Sequence, residues 1–380
     1  MKVVAIKNKE KYYSSTEIEK TNATYKLVIG QRSNGKTYNC IKKAINKFFE
    51  TDTDGNIKET PSVYVRRYAE DIKPMNLNSL LEPHLALIKK LSNGEYNGYE
   101  YKTNVFRFVY RNEKDEVKKR SADFLYTAAL ATWEHGKGTD KANEGIAYLI
   151  FDEFMTRGRY LTNEFATFAN VISSFIRNRP GSEIWMLANT VSQFGNPYFI
   201  EMGLTDCDRM KKGEIRLYTY NNEKLTVAVE YCAESTALKD VEHYYAFDNP
   251  QLSILTNGDW EQESYRHWHP DYFSMDNTTF RFKVLLKFRG HEAVGEVHKT
   301  ATEMIIFWHP LGKSKYAWSE HDCIFTDEPV RNRYQSNYLN AGITKKQKIV
   351  NRLMCLNYDY YSDNTIGELI RSFRMWNGGK

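Results

Sequence analysis

Eight consecutive residues constrain this chain more than any others: Gly30-Gln31-Arg32-Ser33-Asn34-Gly35-Lys36-Thr37 satisfies G-x-x-x-x-G-K-[ST]. The strand-like run YKLVI leads into the motif and an amphipathic helical pattern leaves it, the context in which such a loop cradles phosphates. Glycines at both ends let the backbone curl until its amide N–H groups point at phosphate oxygens, and the helix N-terminus adds partial positive charge. In that geometry Lys36 reaches the β- and γ-phosphates and Thr37 ligates magnesium, so a nucleoside triphosphate, read as ATP, and Mg2+ are expected. The surrounding pattern agrees. Strand-like runs at Tyr25 (YKLVIG), Pro61 (PSVYVRRY), Val105 (VFRFVY), Ile146 (IAYLIFDEF) and Glu183 (EIWMLANT) alternate with helical stretches, which predicts an α/β domain with a mostly parallel sheet. One helix is expected over residues 36–50, burying Tyr38, Ile41, Ile45 and Phe48. A second is expected over 161–177, burying Leu161, Phe165, Phe168, Ile172 and Phe175, and ending before Pro180-Gly181. EIRLYTY and LTVAVEY, joined at Asn221-Asn222, read as an antiparallel hairpin.

The chain has 380 residues, enough for about two to three domains. With 41% hydrophobic and 27% charged residues it is neither collagen-like nor disordered nor membrane-embedded. Its longest apolar runs fall far short of the ~20 residues that a membrane span needs. The N-terminal MKVVAIKNKEKYY has too short an apolar stretch for a signal segment, so the protein is expected to stay where it is made. Cys40, Cys207, Cys232, Cys323 and Cys355 form no C-x-x-C pair and suit a reducing compartment. The net charge of +5 is unevenly placed: residues 277–380 hold 16 Lys+Arg against 10 Asp+Glu, a weak sign of a polyanion near the C-terminal part.

The acidic pair Asp152-Glu153 follows the apolar run Tyr148-Leu149-Ile150-Phe151, where a buried strand would emerge beside the phosphate loop. Asp152 would hold the magnesium through water, and Glu153 would polarise the water that attacks the γ-phosphate. Asn189, at the end of EIWMLANT, would emerge on the same sheet edge, as γ-phosphate sensors do in ATPases with an extra strand between the two motifs; a simple strand cap is the alternative. Arg177 and Arg179 flank Asn178 at the end of the preceding helix, where a neighbouring subunit's nucleotide could receive an arginine. No N-K-x-D motif supports a GTPase, and Asp52-Thr53-Asp54-Gly55 misplaces its glycine for an EF-hand.

Residues 235–276 lack a clear period and read as a linking segment between a domain over 1–234 and another over 277–380. In the latter, TTFRFKVLLKF, HEAVGEVH and TEMIIFWH predict a three-strand antiparallel meander, followed by helices near 345–356 and 366–376, making a small α+β unit. His267-Trp268-His269 lacks a third metal ligand and reads as structural.

Taken together, Gly30-x-Arg32-x-x-Gly35-Lys36-Thr37, Tyr64-Val65-Arg66-Arg67-Tyr68, Phe151-Asp152-Glu153-Phe154, Arg177-Asn178-Arg179 and Asn196-Pro197-Tyr198-Phe199 closely resemble the DNA-encapsidation ATPase family of small protein-primed tailed phages. The resemblance covers about the first 235 residues well and the remainder by strand pattern alone. It implies a P-loop NTPase of the additional-strand, catalytic-glutamate class, joined to a C-terminal domain like an RNase H nuclease that has lost its catalytic carboxylates. Glu292, Glu296, Glu303 and Asp322 are indeed scattered, where two-metal cleavage would need them to converge.

The implied activity is ATP-driven translocation of double-stranded DNA into a preformed prohead, by a homo-oligomeric ring, usually a pentamer, seated on the portal. The ATP site would comprise Gly30, Arg32, Asn34, Gly35, Lys36, Thr37 and Asn189, with Lys141 as a further phosphate contact. Arg177 would act as the finger supplied in trans, with Arg179 as its possible substitute. Arg157 and Arg159, in the loop after Glu153, would grip the DNA backbone without reading bases. The resemblance also places the protein in the host cytoplasm, transiently on the prohead and outside the mature virion, and leaves open a structural packaging RNA as a partner. A terminase with a live nuclease and a ring translocase or helicase of conjugative type are the alternatives.

Overall fold

The computed structural model describes residues 2–5, 12–136, 145–156, 158, 160–176, 181–191, 194, 196–204, 206–207, 210–222, 224–233, 265–267, 277–337 and 343–377. These form two compact units: one from residues 1–190 and 209–259, the other from 191–208 and 260–380.

The N-terminal unit is a mixed α/β structure around an 11-stranded sheet. Its strands are β1 (Lys2–Ala5), β2 (Tyr25–Gly30), β3 (Ser62–Arg66), β4 (Gly98–Lys102), β5 (Val105–Arg111), β6 (Val117–Arg120), β7 (Leu125–Ala129), β8 (Tyr148–Asp152), β9 (Glu183–Asn189), β10 (Glu214–Tyr220) and β11 (Leu225–Tyr231). The order is β1-β10-β11-β2-β9-β8-β3-β7-β5-β4, with β6 paired to β5. The six strands from β11 to β7 are parallel. Their run YLIFD, buried from Leu149 onward, is the near-continuous apolar pattern of a strand covered on both faces. β9 lies between β2 and β8.

The expected parallel rhythm fails at VFRFVY. β5 pairs antiparallel with β4, β6 and β7, because short turns rather than a crossover helix join these strands. The hairpin of β10 and β11 forms as expected, and β11 continues it into the parallel core beside β2.

Helices cover both faces, and the alternation of strand side chains assigns each its partners. α1 (Thr16–Glu19) is a single turn ahead of β2. α2 (Lys36–Phe48) buries Cys40, Ile41, Ala44, Ile45 and Phe48 in one core with Val28, Ile150, Trp185 and Leu187. Each large side chain in that stripe contributes about 1.5–3 kcal/mol of apolar burial. Tyr38, expected on the buried face, is instead 49% exposed and stacks on His84. α3 (Pro74–Leu81) and α4 (Leu85–Leu91) follow β3. On the other face, Phe168 of α5 (Glu164–Phe175) packs against Phe151, with ring centroids 4.9 Å apart. The buried stripe of α5 is Glu164, Phe168, Val171 and Phe175, whereas Leu161, Phe165 and Ile172 are only partly covered. A glutamate replaces the expected apolar positions because Arg67 awaits it inside.

The C-terminal unit carries α6 (Pro197–Glu201), β12 (Thr279–Phe288), β13 (His291–Lys299), β14 (Met304–Pro310), β15 (Cys323–Thr326), β16 (Gln335–Ser336), α7 (Lys345–Cys355), β17 (Asp359–Tyr361) and α8 (Asn364–Asn377). The meander of β12, β13 and β14 is antiparallel, as expected. β15, β16 and β17 add parallel pairings to give the order β16-β15-β12-β13-β14-β17. Two departures from the expected partition stand out. Residues 191–208, expected inside an unbroken 1–234 domain, group with this unit, and Phe194 lies in its core and meets His291 edge to face at 4.9 Å. Of the expected linking segment only 265–267 is described, and it belongs here: Tyr361 N–H donates to the Arg266 carbonyl at 2.9 Å. His267 Nε2 lies 2.9 Å from Asn364 Oδ1, while Trp268 and His269 fall outside the described residues. Among the described residues no helix is long and apolar enough to cross a membrane.

Candidate functional site

The loop after β2 curls because Ser33 and Gly35 both adopt positive φ, 57° and 92°. Glycine reaches such values without steric cost. Gly30 has a different reason for being glycine: a Cβ there would sit 2.7 Å from the Cβ of Cys232, just past the adjacent strand β11. The buried Lys36 ammonium turns back on the loop's own oxygens, at 2.6 Å from the Gln31 carbonyl, 3.2 Å from that of Gly30 and 3.0 Å from Asn34 Oδ1. Burial lowers its pKa, and nearby Cys232 and Asp152 oppose that shift. Asn189, in register with Gly30 on β9, brings its Oδ1 to 3.4 Å from the same ammonium. Arg32 stands exposed on the loop.

Parallel pairing then delivers the acidic pair. Thr37 donates its hydroxyl to Asp152 Oδ2 at 3.0 Å, and Tyr64 donates to the same oxygen at 2.8 Å. A hydroxyl and a carboxylate are hard oxygen donors of the kind Mg2+ prefers, and that ion usually keeps several waters besides one or two protein ligands. Thr37 and Asp152 therefore fit a magnesium site. Glu153 adopts φ 59°, an uncommon left-handed conformation for a non-glycine residue, and its carboxylate accepts from Arg66 Nη2 at 2.7 Å.

Sequence reasoning quoted Arg66 and Arg67 within the Tyr64-Val65-Arg66-Arg67-Tyr68 motif but gave neither a place in the site. Val65 and Phe151 are in register on β3 and β8, so Arg66-Arg67 and Asp152-Glu153 leave adjacent parallel strands side by side. Arg66 lies 3.7 Å from Asp152 and 3.7 Å from Asp71. Arg67, 5% exposed, donates to the Glu153 carbonyl at 3.0 Å, to the Phe154 carbonyl at 2.7 Å and to both oxygens of Glu164 at 2.9 Å. It fastens the turn that carries Glu153 to the N-terminus of α5. The available signal was the pair of strand ends of opposite charge, Arg-Arg and Asp-Glu, each following an apolar run.

The structure thus gathers Gly30, Asn34, Gly35, Lys36, Thr37, Asp152, Glu153 and Asn189 at one end of the parallel sheet, with Arg32 at its rim. Lys141, Arg157, Arg159, Arg177 and Arg179 lie outside the described residues. Asn196-Pro197-Tyr198-Phe199 takes a local role in the C-terminal unit: Asn196 caps α6 by accepting from the Tyr198 N–H at 2.9 Å, with Pro197 at the first helical position.

Residues 7–221 match the family model of the podovirus DNA encapsidation protein, Gp16. Among solved structures, the chain is similar to the bacteriophage phi29 viral genome packaging motor assembly, with a TM-score of 0.52 and 17% identity over 96% of this chain and 100% of that one. It also aligns with the phi28 gp11 DNA packaging motor, with a TM-score of 0.48 and 18% identity over 96% of this chain and 98% of that one. No curated protein sequence is significantly similar to it.

Proposed function

This chain belongs to the podovirus DNA encapsidation protein (Gp16) family and is a DNA packaging motor protein, and we propose that it works as an ATP-hydrolysing ring subunit pumping double-stranded DNA into a prohead. One observation carries the assignment of the ATP site: the Thr37 hydroxyl meets the Asp152 carboxylate at 3.0 Å, beside a buried Lys36 ammonium. Two segments separated by 115 residues therefore face a single point. The loop is a phosphate-binding P-loop, and β9 between β2 and β8 is the inserted strand of the additional-strand, catalytic-glutamate class. Lys36 exchanges the loop carbonyls for β- and γ-phosphate oxygens. Thr37 and Asp152 would hold the magnesium, whose chemistry there would be to neutralise charge on the phosphates. Asn189 senses the γ-phosphate through its place beside Lys36. Glu153 orients and deprotonates the attacking water after leaving Arg66, and Arg67 keeps its backbone turn in place.

The remaining parts rest on the family. Arg177 of a neighbouring subunit, or Arg179 in its stead, completes the site; Lys141 adds a phosphate contact; Arg157 and Arg159 hold the DNA backbone through charge alone. The ring is a pentamer on the portal, in the host cytoplasm, with a packaging RNA left open as a further partner. The C-terminal unit is an RNase H-like fold without cleavage. Support comes from its meander with β15 added parallel to β12, and from the commitments of its carboxylates. Glu296 binds His298, His309 and Ser314, while Asp322 binds Lys346 at 3.0 Å.

The test is Glu153→Gln. The variant is expected to bind ATP with magnesium at near wild-type affinity while turnover falls by at least ~10². Full turnover would remove Glu153 as the water activator.

A further inference from the structure

Tyr13 lies well ahead of the phosphate-loop motif in sequence, yet it touches the loop directly. Its backbone N–H donates to the Asn34 carbonyl at 2.8 Å. Its ring is 6% exposed and shares one core with Cys40 and Ile41 of α2 and with Cys232 beyond β11. At the far end of that ring the hydroxyl donates to Glu230 Oε2 at 2.9 Å. Glu230 is itself buried and lies on β11 opposite Val28 of β2, the strand that feeds the loop. The preceding residue, Tyr12, lies against the loop's turn: its Cβ is 3.5 Å from where a Cβ on Gly35 would stand.

The hydrogen bond to Asn34 bears on the orientation of one peptide. A planar trans peptide carries its C=O and its N–H on opposite sides, and the described residues contain no cis peptide bond. A donor that holds the Asn34 carbonyl therefore turns the Gly35 N–H away from Tyr13. Gly35 takes φ 92°, and glycine tolerates both signs of φ, so the loop's own sequence leaves this peptide weakly determined. An outside contact has to fix it. The Asn34 side chain is committed elsewhere: its Oδ1 accepts from the Lys36 ammonium at 3.0 Å and from the Lys36 N–H at 3.3 Å. Asn34 thus meets Lys36 with its side chain and Tyr13 with its carbonyl.

We propose that Tyr13 is a positioning residue of the phosphate loop: seated on Glu230, it fixes the Asn34–Gly35 peptide so that the Gly35 N–H faces a phosphate of the bound nucleotide. The inference rests on the phosphate-loop reading above and adds a residue that the motif does not contain. Two hydrogen bonds, one at each end of a single buried residue, connect β11 to the crown of the loop. Losing one such neutral bond shifts an equilibrium by about two- to tenfold.

Equilibrium binding of ADP with magnesium to the full chain near pH 7, set beside the denaturant midpoint of the same nucleotide-free variants, tests it without hydrolysis. Tyr13→Phe keeps the buried ring and the backbone N–H and loses only the hydroxyl; it should weaken ADP about two- to tenfold. Glu230→Val, which removes the acceptor, should weaken ADP by a similar factor. Glu230→Gln still offers an acceptor oxygen and is uncharged, as the buried acid is below about pH 8, so it should bind ADP as the wild type does. The double variant Tyr13→Phe/Glu230→Val leaves no polar group unpaired, so its midpoint should return to the wild-type value or above while ADP binding stays as weak as in either single variant. A contact that only stabilised the fold would carry affinity and midpoint together. Undiminished ADP affinity in Tyr13→Phe, or affinity regained with the midpoint in the double variant, overturns the proposal; if Lys36→Ala still weakens ADP, the phosphate loop stands and Tyr13 alone is dismissed. ADP binding that Lys36→Ala leaves untouched removes the phosphate loop and, with it, the role of Tyr13.

Discussion

Arg67 and Glu164 are 5% and 1% exposed at their side chains, and they face each other through paired hydrogen bonds. Removing one partner from such a pair leaves a charge buried and uncompensated, which costs about 3–5 kcal/mol. Arg67→Ala is therefore expected to lower the denaturant midpoint sharply and to loosen the turn that presents Glu153, whereas Lys at this position would recover little because it cannot bridge two carbonyls and a carboxylate at once. Glu230 makes the contrasting case. Burial pushes its pKa up to about 8, and the hydrogen bond from Tyr13, at 2.9 Å, only partly opposes the shift. An acid whose folded pKa exceeds its ordinary value of 4.5 contributes stability that is complete below about 4.5 and is lost as pH rises to about 8. Stability measured by denaturant midpoint across that window should fall with pH in the wild type and fall less in Glu230→Gln; parallel slopes would show that Glu230 is ionised in the fold. Tyr13 also donates its backbone N–H to the Asn34 carbonyl at 2.8 Å, so the same residue touches the phosphate loop.

At the level of elements, the sequence spoke clearly wherever pattern and punctuation coincided. α2, β8 and β9 each join an apolar run to a polar residue at one end, Lys36, Asp152 and Asn189, and these are the residues that meet at the candidate site. β7 was missed although LYTAA is wholly buried, because five residues without turn signals on either side give no period to read. β4 and β6 were missed for the opposite reason: they are polar edge strands whose pairing comes from neighbours rather than from their own hydrophobicity. Arg66 and Arg67 meet Asp152 and Glu153 only because parallel register sets the strand ends side by side, a relation across strands that no linear spacing contains. In the C-terminal sheet, Gly295 lies opposite Trp308, where a Cβ would approach Ile306 Cγ2 at 2.9 Å and the Trp308 ring at 3.0 Å. Gly295→Ala should destabilise that sheet by about 1–3 kcal/mol through overpacking, read as a lower unfolding midpoint; an unchanged midpoint would mean that β13 and β14 separate at no cost.

For the whole molecule, the proposed chemistry is divided between copies. If Arg177 acts on a neighbour's nucleotide, Arg177→Ala and Lys36→Ala subunits should each be inactive alone and should recover partial ATPase when mixed, since some interfaces then combine an intact loop with an intact finger. No recovery at any mixing ratio would confine the site to one chain. The α/β character of the first unit could be read from alternation, but not the grouping of residues 191–208 with the second compact unit, because they carry no feature that distinguishes them from a loop within the first.

That interruption has a practical corollary for anyone dissecting the gene. The polypeptide leaves the first unit after Thr190 and returns at Arg209, so a truncation ending near residue 234 would carry 18 residues stripped of their native surroundings. Among them Phe194, Tyr198, Phe199, Leu204 and Cys207 are all buried in the intact chain. Such a fragment would display a greasy appendage and tend to clump, and the cleaner excision would replace that detour with a short hydrophilic bridge between residues 190 and 209.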